Sequence, residues 1–278
     1  MLSQTSFTNT GFVDAHVHLR EASGLACAAS AGIGALRDAG FRRNIDRGII
    51  KPGTGGAGPA VVTSGWALYS KGGYGSTFGI AVSTPEQIQE AIISLKRAGA
   101  DIIKTMASGK VSFEHPGQVT AGGFSSEELA GLVCEAAAQG LGVMAHANGE
   151  PAIIAAAQAG VRSIEHGFFM TEQALGLMAE KAIFWVPTIG ALERAAASYS
   201  GPGDAKKFAG SLIHSQLTML RYAHSIGVPL AIGTDCVLPD PAYRAAYHAE
   251  IELFEQAGIP HDSVMHIASA GGAKLLKM

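Results

Sequence analysis

Two histidines near the start of the chain, His16 and His18, are the residues whose types and spacing most directly suggest chemistry. They lie in the segment Phe12–Leu19, whose apolar residues are typical of a β-strand. Successive side chains of a strand point to opposite faces, so the two histidines should share one face, together with Asp14. Two imidazole nitrogens that converge on one point suit Zn²⁺ or a similar divalent metal. Alone, the pair is equally compatible with a half-exposed strand that binds nothing.

Four further residues that could bind a metal lie at or near the ends of predicted strands later in the chain: Lys104, His146, His166 and Asp235. Each histidine has an apolar residue behind it on the same strand face, and the aspartate directly follows an apolar run. Singly, a histidine in such a place is more often hydrogen-bonded than ligating, and the aspartate could equally cap a helix. Their combination with the first two histidines favours a metal site.

The elements that must position these residues form a repeating pattern of short apolar strands and amphipathic or alanine-rich helices. The predicted strands are Phe12–Leu19, Gly34–Asp38, Ala60–Ser64, Asp101–Ala107, Val143–Ala147, Ser163–Phe168, Phe184–Thr188 and Leu230–Thr234. The clearest helices are Thr84–Ala98 and Ser125–Gln139. Eight strand–helix repeats predict an α/β fold, a (β/α)8 TIM barrel, as a single domain over residues 1–278. An open doubly wound sheet is disfavoured because no Gly-x-Gly-x-x-Gly follows an early strand.

Lys104 lies on the fourth predicted strand, where its side chain should point into the barrel. A buried, unpaired ammonium group is energetically costly, and burial lowers its pKa. Three roles stay open for it. It could pair with a carboxylate in the core, form a Schiff base with a substrate, or react as a neutral amine with carbon dioxide to give a carbamate that bridges two metals. The Schiff-base role leaves the four histidines unexplained.

Composition narrows the class of protein. Charged residues make up 15% of the chain, against about 25% in an average domain, so we expect part of the surface to be covered in a homo-oligomer. A net charge of -3 gives no electrostatic reason to expect nucleic acid or an anionic membrane as a partner. The three cysteines show no metal-binding or disulfide spacing, and neither a secretory signal nor a membrane span is evident. A cytoplasmic protein is expected.

The order of the six residues resembles the amidohydrolase superfamily, which carries His-x-His after strand one, Lys after strand four, His after strands five and six and Asp after strand eight. The segments Ala35–Gly40, Ile102–Gly109, Ser163–Gly167 and Trp185–Thr188 are similar to its imidazolonepropionase-like and Xaa-Pro or Xaa-Arg/Lys dipeptidase-like branch. Members usually carry a β-sandwich as well. Only residues 1–11 precede the first predicted strand, so we expect the sandwich to be absent.

The resemblance implies a metal-dependent amidohydrolase that cleaves an amide-type C–N bond in a small molecule, such as a dipeptide, an N-acyl amino acid or a cyclic amide. It implies two divalent ions, Zn²⁺ first and Mn, Fe or Co as alternatives, with carbon dioxide held as a carbamate on Lys104. The implied ligands are His16, His18, Lys104, His146, His166 and Asp235. Asp235 would also accept a proton from the attacking water.

Substrate contacts are predicted at Tyr74 and Asn148, and Asp38 is expected to support the site from behind. Relatives often have Gly-Gly-His where this chain has a tyrosine at position 74. The glycine- and proline-rich segment Lys51–Pro59 is predicted to be a loop at the barrel mouth. Two alternatives stay open: a lactone or phosphoester hydrolase on the same metals, and a non-catalytic scaffold on the same barrel.

Overall fold

A computed structural model of the chain describes residues 11–41 and 58–276, so most of the predicted loop Lys51–Pro59 lies outside the described residues. The strands are β1 (Phe12–Leu19), β2 (Ile33–Asp38), β3 (Ala60–Thr63), β4 (Ala67–Ser70), β5 (Gly79–Val82), β6 (Ile102–Met106), β7 (Gly142–Ala147), β8 (Ser163–His166), β9 (Phe184–Val186) and β10 (Cys236–Leu238). The helices are α1 (Ser23–Ser30), α2 (Pro85–Ala98), α3 (Ser126–Ala138), α4 (Glu150–Ala159), α5 (Glu172–Glu180), α6 (Ile189–Ser198), α7 (Ala205–Ser225), α8 (Tyr243–Gln256), α9 (His261–His266) and α10 (Gly272–Leu276). A π-helical turn, Ile267–Gly271, joins the last two helices.

The strands pair in parallel in two runs, in the orders β10-β1-β2-β3 and β5-β4-β6-β7-β8-β9. The first join between the runs lies in the third barrel strand, which consists of β3 and β4 separated by a kink at Gly65 (φ 66°). On the β3 side of the kink the Asp101 N–H, just before β6, donates to the Thr63 carbonyl at 2.8 Å. On the β4 side Ala67 is paired with Lys104 of β6. The kink therefore carries the sheet from β2 to β6 without a gap.

The second join is made by the predicted strand Leu230–Thr234. The Trp185 N–H of β9 donates to the Pro229 carbonyl at 2.9 Å, and the Ala15 N–H of β1 donates to the Ile232 carbonyl at 2.8 Å. These bonds close a parallel barrel with eight strand positions, or staves, which confirms the predicted (β/α)8 TIM barrel. The eighth stave makes too few regular bonds to count as a strand, and the regular pairing with β1 comes later, in β10.

The local signals that predicted the helices α2 and α3 are present as hydrogen bonds. The Thr84 hydroxyl accepts the Gln87 N–H at 3.3 Å at the start of α2. At the start of α3, Ser125 and Glu128 accept each other's backbone N–H groups in a capping box. Three short strands, β4, β5 and β10, were not predicted. No described helix has the length and apolar character needed to cross a lipid bilayer.

The hydrophobic core has a large layer between the strands and the surrounding helices. A smaller cluster, the barrel floor, fills the inside of the barrel at its lower end. Val13 and Ala15 of β1 lie in the floor with residues from neighbouring strands. The C-terminal helix α10 adds Ala273, Leu275 and Leu276 to the same cluster, so it packs across the lower end of the barrel. No β-sandwich is present among residues 11–41 and 58–276. The assignment of residues 1–278 to one domain stays a prediction.

The strict alternation expected along β1 fails at Asp14. The pairing of β1 with β2 shifts register just after this residue. The Asp14 carboxylate instead accepts hydrogen bonds from the Thr234 hydroxyl at 2.7 Å and from the Tyr243 hydroxyl of α8 at 3.0 Å. His16 and His18 do meet on one face, but Asp14 does not share it, because a bulge rotates the chain between them.

Candidate metal centre

The first half of the centre consists of His16, His18 and Asp235, whose ligand atoms all lie within 4.8 Å of one another. Asp235 Oδ1 is 3.4 Å from His16 Nε2 and 3.1 Å from His18 Nε2. His16 Nε2 is buried and has no hydrogen-bond partner among residues 11–41 and 58–276. A buried nitrogen without a partner is costly in a finished protein, whereas a divalent ion would satisfy it. The donor set therefore fits a metal.

A buried ion pair orients His16 from behind. Glu165 Oε2 accepts from His16 Nδ1 at 2.7 Å, which leaves Nε2 turned towards the centre. Arg37 donates to both Glu165 oxygens at 2.9 and 3.0 Å, to the Ser163 hydroxyl at 2.7 Å and to the Ala15 carbonyl at 2.6 Å. Although burial alone would raise the pKa of Glu165, the charge of Arg37 and the contact with His16 lower it to about 2. A carboxylate behind a ligating histidine fixes its tautomer and raises its basicity.

A second carboxylate holds the turn that orients His18. His18 Nδ1 lies 2.6 Å from the Gly40 carbonyl, so its Nε2 also faces the centre. Asp38 accepts the Gly40 N–H at 3.1 Å and the Leu19 N–H at 2.9 Å, while its other oxygen accepts the Thr63 hydroxyl at 2.7 Å. Asp38 thus supports the site indirectly, as the sequence predicted, by fixing the backbone that His18 contacts.

The second half of the centre consists of Lys104, His146 and His166. The two imidazole rings lie 4.6 Å apart, and the His166 ring is 5.0 Å from that of His16, so both halves open into one space. His146 Nε2 is 2.9 Å from the Gly109 carbonyl, which leaves Nδ1 free. His166 Nδ1 is 2.7 Å from the Thr188 hydroxyl, which leaves Nε2 free. The structure thus brings together the residues predicted as ligands.

Lys104 is 1% exposed and forms no ion pair with any described carboxylate. Burial lowers its pKa to about 8, against the opposing influence of the negative charges of Glu165 and Asp235. Within the described part of the chain, the structure does not show the paired core lysine that the sequence left open. A lysine whose amine is partly neutral near physiological pH suits both the carbamate and the Schiff-base alternatives.

Burial also keeps His16, His146 and His166 neutral, which is the state that binds metals. It lowers the pKa of His16 to about 4 and that of His146 to about 3, and in both cases the positive charge of Lys104 adds to the effect. The pKa of His166 is held well below its usual value by burial and by His146. Burial would raise the pKa of Asp235, but its hydrogen bond with His18 and the neighbouring histidines bring it well below normal.

Three residues of the centre have left-handed backbone conformations that side-chain-bearing residues rarely adopt: His166 (φ 66°), Thr188 (φ 47°) and Asp235 (φ 56°). Each directly ends or follows a stave of the barrel. The left-handed turn ends the strand abruptly at the mouth, where the side chains of His166 and Asp235 meet the other ligands. Such strain is held in place by the surrounding structure and clusters at functional sites.

A cavity of about 480 Å³ opens beside the second half of the centre. Its lining includes His146, His166 and Asp235 and both residues predicted to contact substrate, Tyr74 and Asn148. The Tyr74 ring lies 5.1 Å from that of His146. Burial and the charge of Asp235 raise the pKa of Tyr74 to about 12, so its hydroxyl stays a hydrogen-bond donor. The substrate roles of both residues stay predictions.

Sequence reasoning missed the residues that orient the ligands, above all Arg37, Glu165 and Thr188. The signal was present in part, because Arg37 and Glu165 are charged residues inside otherwise apolar strands and therefore need a partner. Their pairing across the barrel could not be read from strands 128 positions apart in the chain.

Comparisons with known proteins agree with this geometry. The profile of the Amidohydrolase family matches residues 10–278. Ochratoxinase from Aspergillus niger is 34% identical over an alignment of 206 residues. The match covers 64% of this chain but only 42% of that protein, so this chain spans less than half of the relative's length.

Two solved structures resemble the whole described barrel. A Xaa-Pro dipeptidase with bound methionine in its active site has a TM-score of 0.78 at 25% identity, covering 96% of this chain and 75% of that chain. The A. niger ochratoxinase structure has a TM-score of 0.77 at 26% identity, covering 96% and 71%. Because the family profile extends over nearly the whole sequence and the six expected ligands converge, the chain belongs to the amidohydrolase family.

Proposed function

We propose that this protein is a metal-dependent hydrolase that cleaves an amide-type C–N bond of a small molecule. The observation that carries the proposal is the convergence of His16, His18 and Asp235 around the buried His16 Nε2, which forms no hydrogen bond with any described residue. Membership of the amidohydrolase family supports the reaction class. The related ochratoxinase and Xaa-Pro dipeptidase support an amide or peptide bond over an ester.

The residues proposed to hold metal are His16, His18, Lys104, His146, His166 and Asp235. The first half of the centre would hold one divalent ion and the second half another, with Lys104 between them as a carbamate. Zn²⁺ suits imidazole and carboxylate ligands best, with Mn, Fe or Co as alternatives. When bound, such ions supply an activated water near neutral pH and polarise the carbonyl of the bond to be cleaved.

The proposed carbamate requires a neutral amine at Lys104. The amine nitrogen bonds to the carbon of carbon dioxide and releases one proton, which gives a negatively charged carbamate. With a pKa of about 8, roughly one lysine in ten is neutral at pH 7. Burial without an ion pair to any carboxylate that the structure describes therefore prepares Lys104 for this modification. A ¹³C signal from protein incubated with labelled bicarbonate tests it, and full metal occupancy with an unmodified Lys104 would refute the bridge.

Asp235 is the proposed proton carrier. Its low pKa keeps it ionised, and its side chain is 26% exposed towards the cavity, so it can meet both water and substrate. It would accept a proton from the attacking water and deliver it to the departing amine nitrogen. Tyr74, a neutral donor in the cavity wall, would donate to a substrate oxygen. Asn148 would contact substrate from the same wall.

The experiment is metal analysis combined with a turnover screen of the full chain. Protein purified without chelator should contain at least one equivalent of Zn, Mn, Fe or Co. Dipeptides, N-acyl amino acids and cyclic amides should be hydrolysed faster than lactones or aryl phosphotriesters, and Asp235→Asn should serve as the inactive control. Less than one equivalent of metal refutes the metal centre, while faster turnover of lactones or phosphotriesters replaces the proposed bond with theirs.

We further propose a cytoplasmic homo-oligomer whose only substrate-like partner is a small molecule. The low fraction of charged residues supports self-association, and the net charge of -3 supports neither nucleic acid nor an anionic membrane as a partner. Light scattering at micromolar concentration tests the assembly. A strict monomer at that concentration would contradict it.

A further inference from the structure

Thr188, the residue before helix α6, has a backbone conformation that is unusual for a threonine. It is β-branched and fully buried, yet its φ and ψ are 47° and 45°. A β-branched residue in this region is strained, so the surrounding structure must impose the conformation. Its hydroxyl lies 2.7 Å from His166 Nδ1, directly behind a predicted ligand.

Helix α6 receives its N-terminal cap from another helix. At the position of Thr188, a threonine hydroxyl would ordinarily accept a backbone N–H from the first turn of the helix. Thr188 makes no such bond. Glu250 of α8, which is fully buried, accepts the Ile189 N–H at 3.1 Å and the Gly190 N–H at 2.6 Å. The glutamate therefore satisfies the helix end, and the Thr188 hydroxyl remains available to His166.

Gly190 allows the glutamate to approach this closely. A methyl group at position 190 would lie 3.0 Å from the Glu250 carboxylate oxygen, which is tighter than an ordinary contact. The same face of α8 also carries Tyr243, two turns before Glu250, and Tyr247, one turn before it. Their hydroxyls contact Asp14 and the Val13 carbonyl of β1, respectively. Helix α8 thus contacts the elements that carry the proposed ligands at several points. Glu250 is the residue of α8 that is connected to His166, through the start of α6 and Thr188.

We propose that Glu250 is a positioning residue for the second half of the metal centre. By capping α6 in place of Thr188, it leaves the Thr188 hydroxyl to accept the N–H of His166 Nδ1. This bond selects the imidazole tautomer whose Nε2 is unprotonated and faces the cavity. The inference rests on the metal centre proposed above, but the tautomer is a property of the protein without metal and is measured separately.

The first test compares Thr188→Val, which keeps the shape and removes the hydroxyl, with Thr188→Ser, which keeps the hydroxyl. In metal-free protein, ¹⁵N signals of the His166 ring, assigned with a His166→Gln variant, should show the Nδ1–H tautomer in the wild type and in Thr188→Ser. Thr188→Val should lose this preference. Affinity for the second equivalent of Zn²⁺, measured by chelator competition, should fall about 10- to 100-fold in Thr188→Val only.

The second test moves to α8. The comparison is made above pH 8, where the ionised Glu250 accepts both N–H groups of α6. The amide in Glu250→Gln has only one accepting oxygen, so one of these N–H groups loses its acceptor and competes for the Thr188 hydroxyl. The His166 tautomer and the second Zn²⁺ affinity should change in the same direction as in Thr188→Val, by a smaller factor. If this variant does not fold, Gly190→Ala replaces it: alanine suits a helix, and its methyl group displaces the carboxylate.

Ser125→Ala is the matched control, because it removes a helix cap on α3 without a link to the centre. It should lower the unfolding midpoint but leave the His166 tautomer and both Zn²⁺ affinities unchanged. The proposal is overturned if Thr188→Val changes the tautomer while Glu250→Gln and Gly190→Ala leave both readouts at wild-type values. A wild type that binds no Zn²⁺ would refute the proposed function, and the metal-free ring signals would still decide the role of Glu250.

Discussion

Behind the first half of the metal centre, His16 is hydrogen-bonded to an ionised glutamate that is paired with Arg37, whereas His166 in the second half is hydrogen-bonded to the neutral Thr188 hydroxyl. Both halves nevertheless depend on a buried glutamate. Glu165 acts through its charge, and Glu250 accepts backbone N–H groups at the start of α6. A charged partner raises the basicity of a ligating imidazole, and a hydroxyl mainly fixes its orientation. The first half should therefore bind its metal more tightly.

The largest effect is expected from Asp235→Asn, which removes both a ligand of the first half and the proposed proton carrier. The kcat for the best amide substrate should fall by about 10²- to 10⁴-fold, the usual contribution of general acid–base catalysis. Steady-state kinetics with measured metal content checks this. A fall of less than tenfold at full occupancy would remove Asp235 from the mechanism.

Glu165→Gln should cost about 3–5 kcal/mol of unfolding free energy, because it leaves the fully buried Arg37 without a countercharge. Chemical denaturation of metal-free protein measures this. The double variant Arg37→Met/Glu165→Leu should recover most of the stability, since an apolar pair can replace a buried ion pair. It should not recover the affinity for the first metal, because His16 has lost its carboxylate. Recovery of both would mean that the ion pair serves only the fold.

The two glutamates should respond to pH in opposite ways. Burial raises the pKa of Glu250 to about 8, so the folded state holds its proton more tightly than the unfolded chain does between about pH 4.5 and 8. In that window Glu250 makes the protein less stable as pH rises, by at most about 1.4 kcal/mol per pH unit. The lowered pKa of Glu165, about 2, contributes stability above pH 4.5 that is lost as the pH falls towards 2.

The measurement is the difference in unfolding free energy between wild type and Glu250→Gln from pH 5 to 8. The difference curve is needed because His16 and His146, whose pKa values are lowered by burial, make the protein more stable as pH rises towards 6.5. We expect the variant to gain stability relative to wild type across the window. A flat difference would show that Glu250 is ionised in the folded protein throughout.

The smallest effect is expected in the difference between the dissociation constants of the two metal ions. On titration with a chelator, the second half should release its ion first, with a dissociation constant about 10- to 100-fold higher than that of the first half. Variants locate each step, because His146→Ala should abolish the weak step and His16→Ala the strong one. Release of both metal equivalents in a single step would contradict the proposed difference in metal affinity between the two halves.

The fold was predictable because its signals are local. The alternation of apolar strands and capped helices identified the barrel, and the bounds predicted for β1 agree with the structure. The third and eighth staves were harder. Gly65 kinks the third, so that β4 continues it beyond the predicted end. In the eighth, a Cβ at Gly233 would lie 2.8 Å from that of His16, a close approach that apolar patterning cannot reveal.

The convergence of the six proposed ligands was predictable for a similar reason, since each is a polar residue within or directly after an apolar strand. The residues that orient these ligands could not be predicted from the sequence. Thr188 is an ordinary residue in sequence, and only the observed backbone shows that its hydroxyl is turned away from its own helix. Asp14 looked like a companion of His16, yet a bulge turns it towards α8. Contacts across the barrel and single-residue bulges depend on the assembled fold.

The left-handed conformations of His166, Thr188 and Asp235 set a conflict for anyone who engineers this protein. A search for thermostable variants would favour glycine or asparagine at these positions, because both adopt the conformation at lower cost. Each such gain would delete an imidazole, a hydroxyl or a carboxylate from the centre. Selection for stability alone should therefore drift towards an inert barrel, and any screening campaign needs activity or metal retention as a second criterion.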